Sequence, residues 1–366
     1  MAQKFLIINP FGVGDVLFST PLVSAIKRRD SNSYIGYICN IRTQDILRTN
    51  PEIDEVFVFE RDEYRDLWKQ SKIGCIKKLL DFWRNIKKRQ FDKVIDLSLG
   101  KEYAFFCWLI GIKERDGFNY RGRGRFLTHK IRFDGFNEKP VAEYYLGILG
   151  FPVDMHGLRT ILVFTDEDEA YIDNFLREKG IANQGILVGI APGGGISFGS
   201  KHLDKRRWGV EKFSKLADRI IRDFNAAVVL IWGPEEEKLV KDIQNLMEEN
   251  VLIAPQTKIR QMAALCKRCG LVICSEGGPL HIASSQGTRT ISIFGPVNEK
   301  VYGPYPQGED NVVLASPIEC RPCYSRFKLP ECDTRRCIEA ISVDTVLGTV
   351  SLQLNNAGIK LRGENR

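Results

Sequence analysis

The stretch Leu271-Val272-Ile273-Cys274-Ser275-Glu276-Gly277-Gly278-Pro279-Leu280-His281-Ile282-Ala283 decides how this chain is read. Its apolar opening predicts a buried parallel strand, and the small residues after Pro279 predict a helix. Gly277 and Gly278 let the backbone approach a ligand closely. Proline suits the first helical position, whose N–H has no partner in any case. Unpaired amides and the positive end of the helix dipole would then point at one spot, an arrangement that holds phosphate without a metal ion. His281 falls in the first turn, where it can add a hydrogen bond or a charge. A glycine turn of this kind can also be a tight connection with a packing histidine and nothing more.

The surrounding sequence repeats the pattern. Strands are predicted over 186–191, ending in Pro192-Gly193-Gly194-Gly195, and over 227–232, ending in Gly233-Pro234-Glu235. Further strands follow over 251–254 and 290–294, with helices over 210–223, 236–249 and 258–269 between them. The N-terminal half opens with a strand over 5–8, a turn over 10–14 and a helix from 15 to about 29. Strands over 34–39, 56–59 and 93–97 follow, with one long helical segment over 67–89. Strands alternating with helices predict an α/β protein with parallel sheets. At 366 residues the chain has room for roughly two domains. The expectation is two parallel-sheet domains, 1–165 and 166–366. Ligands of such sheets bind outside the carboxyl ends of the strands. Two domains facing a cleft would be rimmed by 12–15 on one side and by 193–195, 233–236 and 276–281 on the other.

Thr165 and Asp168 form a capping-box pattern at the start of a helix over 167–179. Asp166-Glu167-Asp168 also matches the Asp-x-Asp string of metal-dependent sugar transferases, but acids gather in first turns for dipole reasons alone. A hydrophobic fraction of 43% and a charged fraction of 27% are ordinary for a globular protein. No apolar run reaches the roughly 18 residues of a membrane span, and Met1 leads directly into a strand, so the expected location is cytoplasmic. The net charge of +7 gathers in clusters over 69–89, 115–130 and 201–207. Such clusters suit phosphorylated ligands or an anionic membrane face, and equally a solvated surface. No nucleic-acid-binding module accompanies them. The 67–89 segment sets Trp68, Ile73, Ile76, Leu79, Leu80, Trp83 and Ile86 among lysines and arginines. It can cover its own sheet or lie on a membrane surface.

Gly12-Val13-Gly14-Asp15 is only part of a dinucleotide fingerprint, because Leu17 stands where a third glycine belongs. Asp15 can be a helix cap, or a general base acting on an acceptor hydroxyl. Lys201, Lys205, Arg206 and Arg207, between the triple glycine and Trp208, can neutralise a departing diphosphate. Glu235 and Glu236 can bind a ribose, or simply occupy a first helical turn.

Taken together, these residues resemble glycosyltransferase family nine, the ADP-heptose:lipopolysaccharide heptosyltransferases. The resemblance covers almost the whole chain. It rests on Gly14-Asp15, Pro192-Gly193 with the basic entry to Trp208, Gly233-Pro234-Glu235, the 276–283 stretch and Phe294-Gly295-Pro296. It implies a GT-B-like architecture of two Rossmann-like domains facing a cleft, an acceptor on the N-terminal domain, a nucleotide sugar on the C-terminal one, and metal-independent transfer with inversion. The implied donor is ADP-heptose and the implied acceptor a lipopolysaccharide core, reached on the cytoplasmic face of the inner membrane. It casts Asp15 as catalytic base. Gly193, Gly194, Arg206 or Lys205, Glu276, Gly277, Gly278 and His281 become donor and phosphate contacts, and Glu235 or Glu236 the ribose contact.

Three departures stand out. Arg206-Arg207-Trp208-Gly209 replaces a Lys-x-Trp-Pro string, Glu276-Gly277 replaces an Asp followed by a hydroxyl residue, and 195–203 is longer than usual. Another nucleotide-sugar transferase, an epimerase on the same fold, or a non-catalytic binding module are the competing readings.

Of ten cysteines, Cys39, Cys75, Cys107, Cys266, Cys269 and Cys274 sit in apolar or helical contexts and are read as core. Cys320, Cys323, Cys332 and Cys337 gather in a polar loop. Four thiolates at that spacing can surround a structural Zn²⁺, or stay reduced.

Overall fold

A computed structural model describes residues 2–181, 185–195 and 206–356. The chain divides into two compact units, Met1–Arg159 and Thr160–Arg366. The sequence set its boundary at 165/166, which is the N-cap of the Asp166–Glu178 helix.

The first unit is built on β1 (Lys4–Ile8), β2 (Tyr34–Cys39), β3 (Glu55–Val58), β4 (Lys93–Asp96), β5 (Glu114–Tyr120) and β6 (His129–Phe133). They pair in the order β3-β2-β1-β4-β5-β6, all parallel. The second unit carries β7 (Leu187–Ala191), β8 (Ala227–Leu230), β9 (Leu252–Ile253), β10 (Leu271–Ser275), β11 (Thr290–Phe294) and β12 (Asn311–Ala315). Their order is β12-β11-β10-β7-β8-β9, again all parallel. Both sheets are Rossmann-like. Parallel strands need crossover helices, which cover the sheet faces and so permit unbroken apolar strands such as β7 and β10, where every residue is buried.

The helix Val210–Phe224 shows how sequence spacing builds the second core. Phe213, Leu216, Ala217 and Ile220 recur on one face and pack against Val188, Ile190, Val228 and Leu230. Trp208, completely buried just before that helix, donates its indole N–H to Ile341 O at 2.8 Å.

Three strands escaped the sequence reading. β5 and β6 lay inside a segment read only as a basic cluster, and β12 is short and half-buried. The 67–89 segment is not one helix but two, Arg61–Gln70 and Lys72–Lys88. Ser71 breaks them, because its hydroxyl accepts the Gly74 N–H at 3.1 Å and so caps the second helix. That second helix buries Cys75, Trp83 and Ile86 against its own unit, with the Trp83 ring stacked on Phe106. Asp168 closes a capping box with Thr165: it accepts from Thr165 and from Arg260 Nε at 2.8 Å. The six cysteines read as core are all buried. Among the described residues no helix is long and apolar enough to cross a membrane.

Candidate active site

In the second sheet the chain order reverses between β7 and β10, the position in such sheets outside whose carboxyl ends ligands bind. The two loops meet main chain to main chain. Gly277 has φ 146°, and a Cβ there would land on the carbonyl oxygen of Gly194; Gly194, at φ 77°, is equally closed in by Glu276 O. Ser275 Oγ donates to Pro192 O at 2.9 Å and ties the loops from below. Gly277→Ala should therefore cost about 2–4 kcal/mol from strain and overpacking combined. A thermal melt checks this, and an unchanged midpoint would mean that the loops are not in contact.

Beside that seam lies a buried ion pair. Arg206 Nε donates to Glu276 Oε1, and Nη2 donates to the Glu276 carbonyl at 3.2 Å. Glu276 is 2% exposed, and its other oxygen, Oε2, is buried with no hydrogen-bond partner among the described residues. The helix Gly278–Ser285 starts immediately after, with Pro279 in its first turn, so its leading amides and dipole end face the same region. His281 is buried there. Desolvation first, and the Arg206 cation second, pull its pKa down to about 4. It is therefore neutral near pH 7, and of the two roles left open by the sequence it can fill only the hydrogen-bonding one.

The glutamates after β8 part company. Glu236 is buried and clamps two loops: Oε1 accepts the Gly195 N–H at 3.0 Å and Oε2 the Gly233 N–H at 2.9 Å. Arg207 Nη2 lies 3.5 Å from Oε1, and its Nε donates to Gly193 O at 3.2 Å. Both oxygens of Glu236 are thus engaged within the protein, which makes it a loop clamp, not an open ribose contact. Its carboxylate also fills the space a side chain at Gly193 would need. Glu235, by contrast, is exposed, at φ 68° after Pro234. Lys205 and Lys201 lie outside the described residues.

In the first unit Asp15 sits on the opening turn of the helix Val13–Arg29, at the carboxyl end of β1. It is not the cap; Gly12 is. The Gly12 N–H donates to Asp15 Oδ2 at 3.3 Å, and Asn9 Nδ2 donates to the Asp15 carbonyl at 3.0 Å, so the turn and the side chain hold each other. Burial pushes the pKa of Asp15 up to about 6, against the opposing pull of the Gly12 hydrogen bond. A carboxylate that is ionised at pH 7, anchored through one oxygen and only weakly acidic, has the properties of a general base.

Two residues with site character went unread in the sequence. Asp96 ends β4, next to β1 in the sheet. Its Oδ1 accepts the Ser98 N–H at 2.9 Å, and burial raises its pKa to about 6. The available signal was an acid closing the apolar run Val94-Ile95. Arg321 spans the turn after β11, donating to the carbonyls of Gly295, Ser316 (3.1 Å) and Val297 (3.2 Å) and to Glu299 Oε2 at 2.8 Å. It pins the cysteine-bearing loop to the carboxyl end of the second sheet, where the Cys323 and Tyr324 amides also bond Pro296 O. No local pattern marks such a role. The four cysteines of that loop range from exposed Cys320 to buried Cys337, and among the described residues no three His, Cys, Asp or Glu side chains are grouped to hold a metal ion.

Comparison with known proteins supplies the class and then the family. The structure superimposes on a family 9 glycosyl transferase from Veillonella parvula with a TM-score of 0.79 at 22% identity, covering 97% of this chain and 98% of the other. It matches an Escherichia coli structure described as ADP-heptose lps heptosyltransferase II with a TM-score of 0.74 at 18% identity, covering 97% and 100%. The protein is a glycosyltransferase of GT-B-like fold. Residues 79–332 match glycosyltransferase family 9 (heptosyltransferase), and the chain belongs to that family. In sequence it is 25% identical over 325 residues to the lipopolysaccharide core heptosyltransferase OpsX of Haemophilus influenzae, across 85% of this chain and 84% of that one.

Proposed function

We propose that this enzyme transfers a heptose from ADP-heptose to a hydroxyl of a lipopolysaccharide core, with inversion and without a metal ion, at the cytoplasmic face of the inner membrane. The observation that carries the reading is Asp15, a carboxylate at the carboxyl end of β1, anchored through Oδ2 and raised to a pKa of about 6. The acceptor O–H gives its proton to Asp15 as the oxygen bonds to the anomeric carbon. The bond from that carbon to the diphosphate breaks, and ADP leaves with the electron pair. Attack from the face opposite the leaving group inverts the centre. The N-terminal unit takes the acceptor in this reading, and the C-terminal unit takes the donor.

Charge on the departing diphosphate meets the leading amides of the Gly278–Ser285 helix, a neutral His281 and Arg206. Glu276 is best read as the residue that holds Arg206, since a carboxylate has nothing to offer a diphosphate directly. Glu235 takes the ribose, because Glu236 is occupied by loop amides. Heptose and lipopolysaccharide appear in the names of the relatives, which supports the choice of substrates.

The test is a panel of nucleotide sugars with the purified protein, read by thermal shift and by ADP release. At a hundredfold excess over Kd the true donor stabilises by about 2.7 kcal/mol, so ADP-heptose should raise the melting midpoint where UDP- and GDP-sugars do not. Stabilisation by a different nucleotide sugar alone would replace the donor. EDTA should leave the rate intact. A loss restored by Mg²⁺ or Mn²⁺ would overturn the metal-free scheme.

A further inference from the structure

The helix Lys72–Lys88 has two apolar faces, and only one of them is used by the fold. Cys75, Trp83 and Ile86 point inward. On the adjoining flank Ile73, Ile76 and Leu80, spaced three and four residues apart, form a stripe left in solvent, with Ile73 82% exposed. Trp68, at the end of the preceding helix, is 48% exposed, and the Lys72 ammonium lies over its ring. Exposed aliphatics in a row are unusual on a water-facing helix, where that face is ordinarily polar.

The charge on the stripe's own helix is one-sided, whereas the preceding helix mixes Asp62, Glu63 and Asp66 with Arg61, Arg65 and Lys69. The helix carries six lysines and arginines against a single acid, Asp81, which is itself paired with Arg84. Lys77 lies on the stripe between Ile73 and Leu80 and, among the described residues, makes no ion pair. An apolar strip with an interfacial tryptophan and a surrounding of cations complements an anionic lipid surface. Aliphatic side chains enter the acyl boundary while ammonium groups meet lipid phosphates.

The position suits such a role. The helix descends from the carboxyl ends of the first sheet towards β4, so Ile73 and Ile76 belong to the end of the unit that also carries Asp15.

We infer that the Ile73–Ile76–Leu80 stripe, with Trp68, Lys72 and Lys77, docks the first unit on an anionic phospholipid surface. This deepens the reading of an enzyme that works on a lipid-linked acceptor. The measurement needs neither donor nor acceptor, however, so its failure is separate from failure of the transferase reading. The full-length protein is sedimented with phosphatidylglycerol–phosphatidylethanolamine vesicles and, in parallel, with phosphatidylcholine vesicles. Binding is expected to the anionic vesicles only, weakening as salt is raised.

Ile73→Glu with Leu80→Glu should weaken binding at least about tenfold. Lys72→Gln and Lys77→Gln should each weaken it about fivefold. Because all four side chains are solvent-exposed, circular dichroism and the melting midpoint should not change. Absence of wild-type protein from anionic vesicles, or variants that bind as well as wild type, would overturn the inference. So would light scattering that shows a dimer broken by Ile73→Glu, which would assign the stripe to a second copy of the chain.

Discussion

Asp15→Asn should lower kcat by about 10²–10⁴-fold while leaving donor affinity near its wild-type value. Asparagine keeps the shape of the side chain and can still accept the Gly12 N–H, so only the proton acceptor is lost. In the wild type, kcat/KM should rise with pH through an inflection near 6, where the carboxyl ionises, and then level off.

Stability supplies an independent readout. The pKa of Asp15 is raised in the folded state, so folding favours its protonated form. That contribution is fully present below the unfolded value of 3.8 and is lost as pH rises through about 6. Above pH 6 the ionised carboxylate is therefore a cost, on the order of 1–3 kcal/mol. Asp15→Asn should melt higher than wild type at pH 8 and nearly equal to it near pH 4. A variant that turns over normally would remove Asp15 from the chemistry. One that melts lower at pH 8 would make it a structural brace for the Gly12 turn.

Removing Arg206 should have the largest effect on stability. Arg206→Ala leaves the Glu276 carboxylate buried without its cation, a loss of about 3–5 kcal/mol when one half of a buried pair is deleted. In a unit of this size each kcal/mol moves the melting midpoint by roughly 2–4 °C. The single variant alone cannot separate folding from function, but the double variant Arg206→Met with Glu276→Leu can. An apolar pair of similar volume is often as stable as the ion pair it replaces. If the double variant folds normally and still fails to bind or release the nucleotide, Arg206 acts on the ligand. If it transfers sugar at the wild-type rate, the pair is scaffolding only.

How much of this was legible before any coordinates depends on which physical signal each feature leaves in sequence. β7 and β10 are continuous apolar runs stopped by glycine, and that signature of a buried parallel strand is local. β5 and β6 were hidden because the first of them, Glu114-Arg115-Asp116-Gly117, puts charge where a core strand would put valine. Its register with β4 is secured by neighbours distant in sequence, such as Lys93 against Asp116 at 2.6 Å.

The site followed the same division. The glycine turn over 276–278 and the acid at 15 could be picked out because their geometry is set within a few residues. The division of labour between Glu235 and Glu236 could not, since it depends on Gly195 and Gly233 amides carried by different strands. The pairing of Arg206 with Glu276 was missed for the same reason: seventy positions separate two charges that share one buried contact.

The seam between Gly194 and Gly277 also bears on how donor choice could be altered. Where these loops touch, the surface is peptide backbone, and no side chain can be introduced without forcing the two apart. Under the proposed donor site, a mutation there can abolish binding but cannot retune it. Any shift from one sugar or base to another must be written at the margins, in residues such as Glu235 that project from the loops without bracing them.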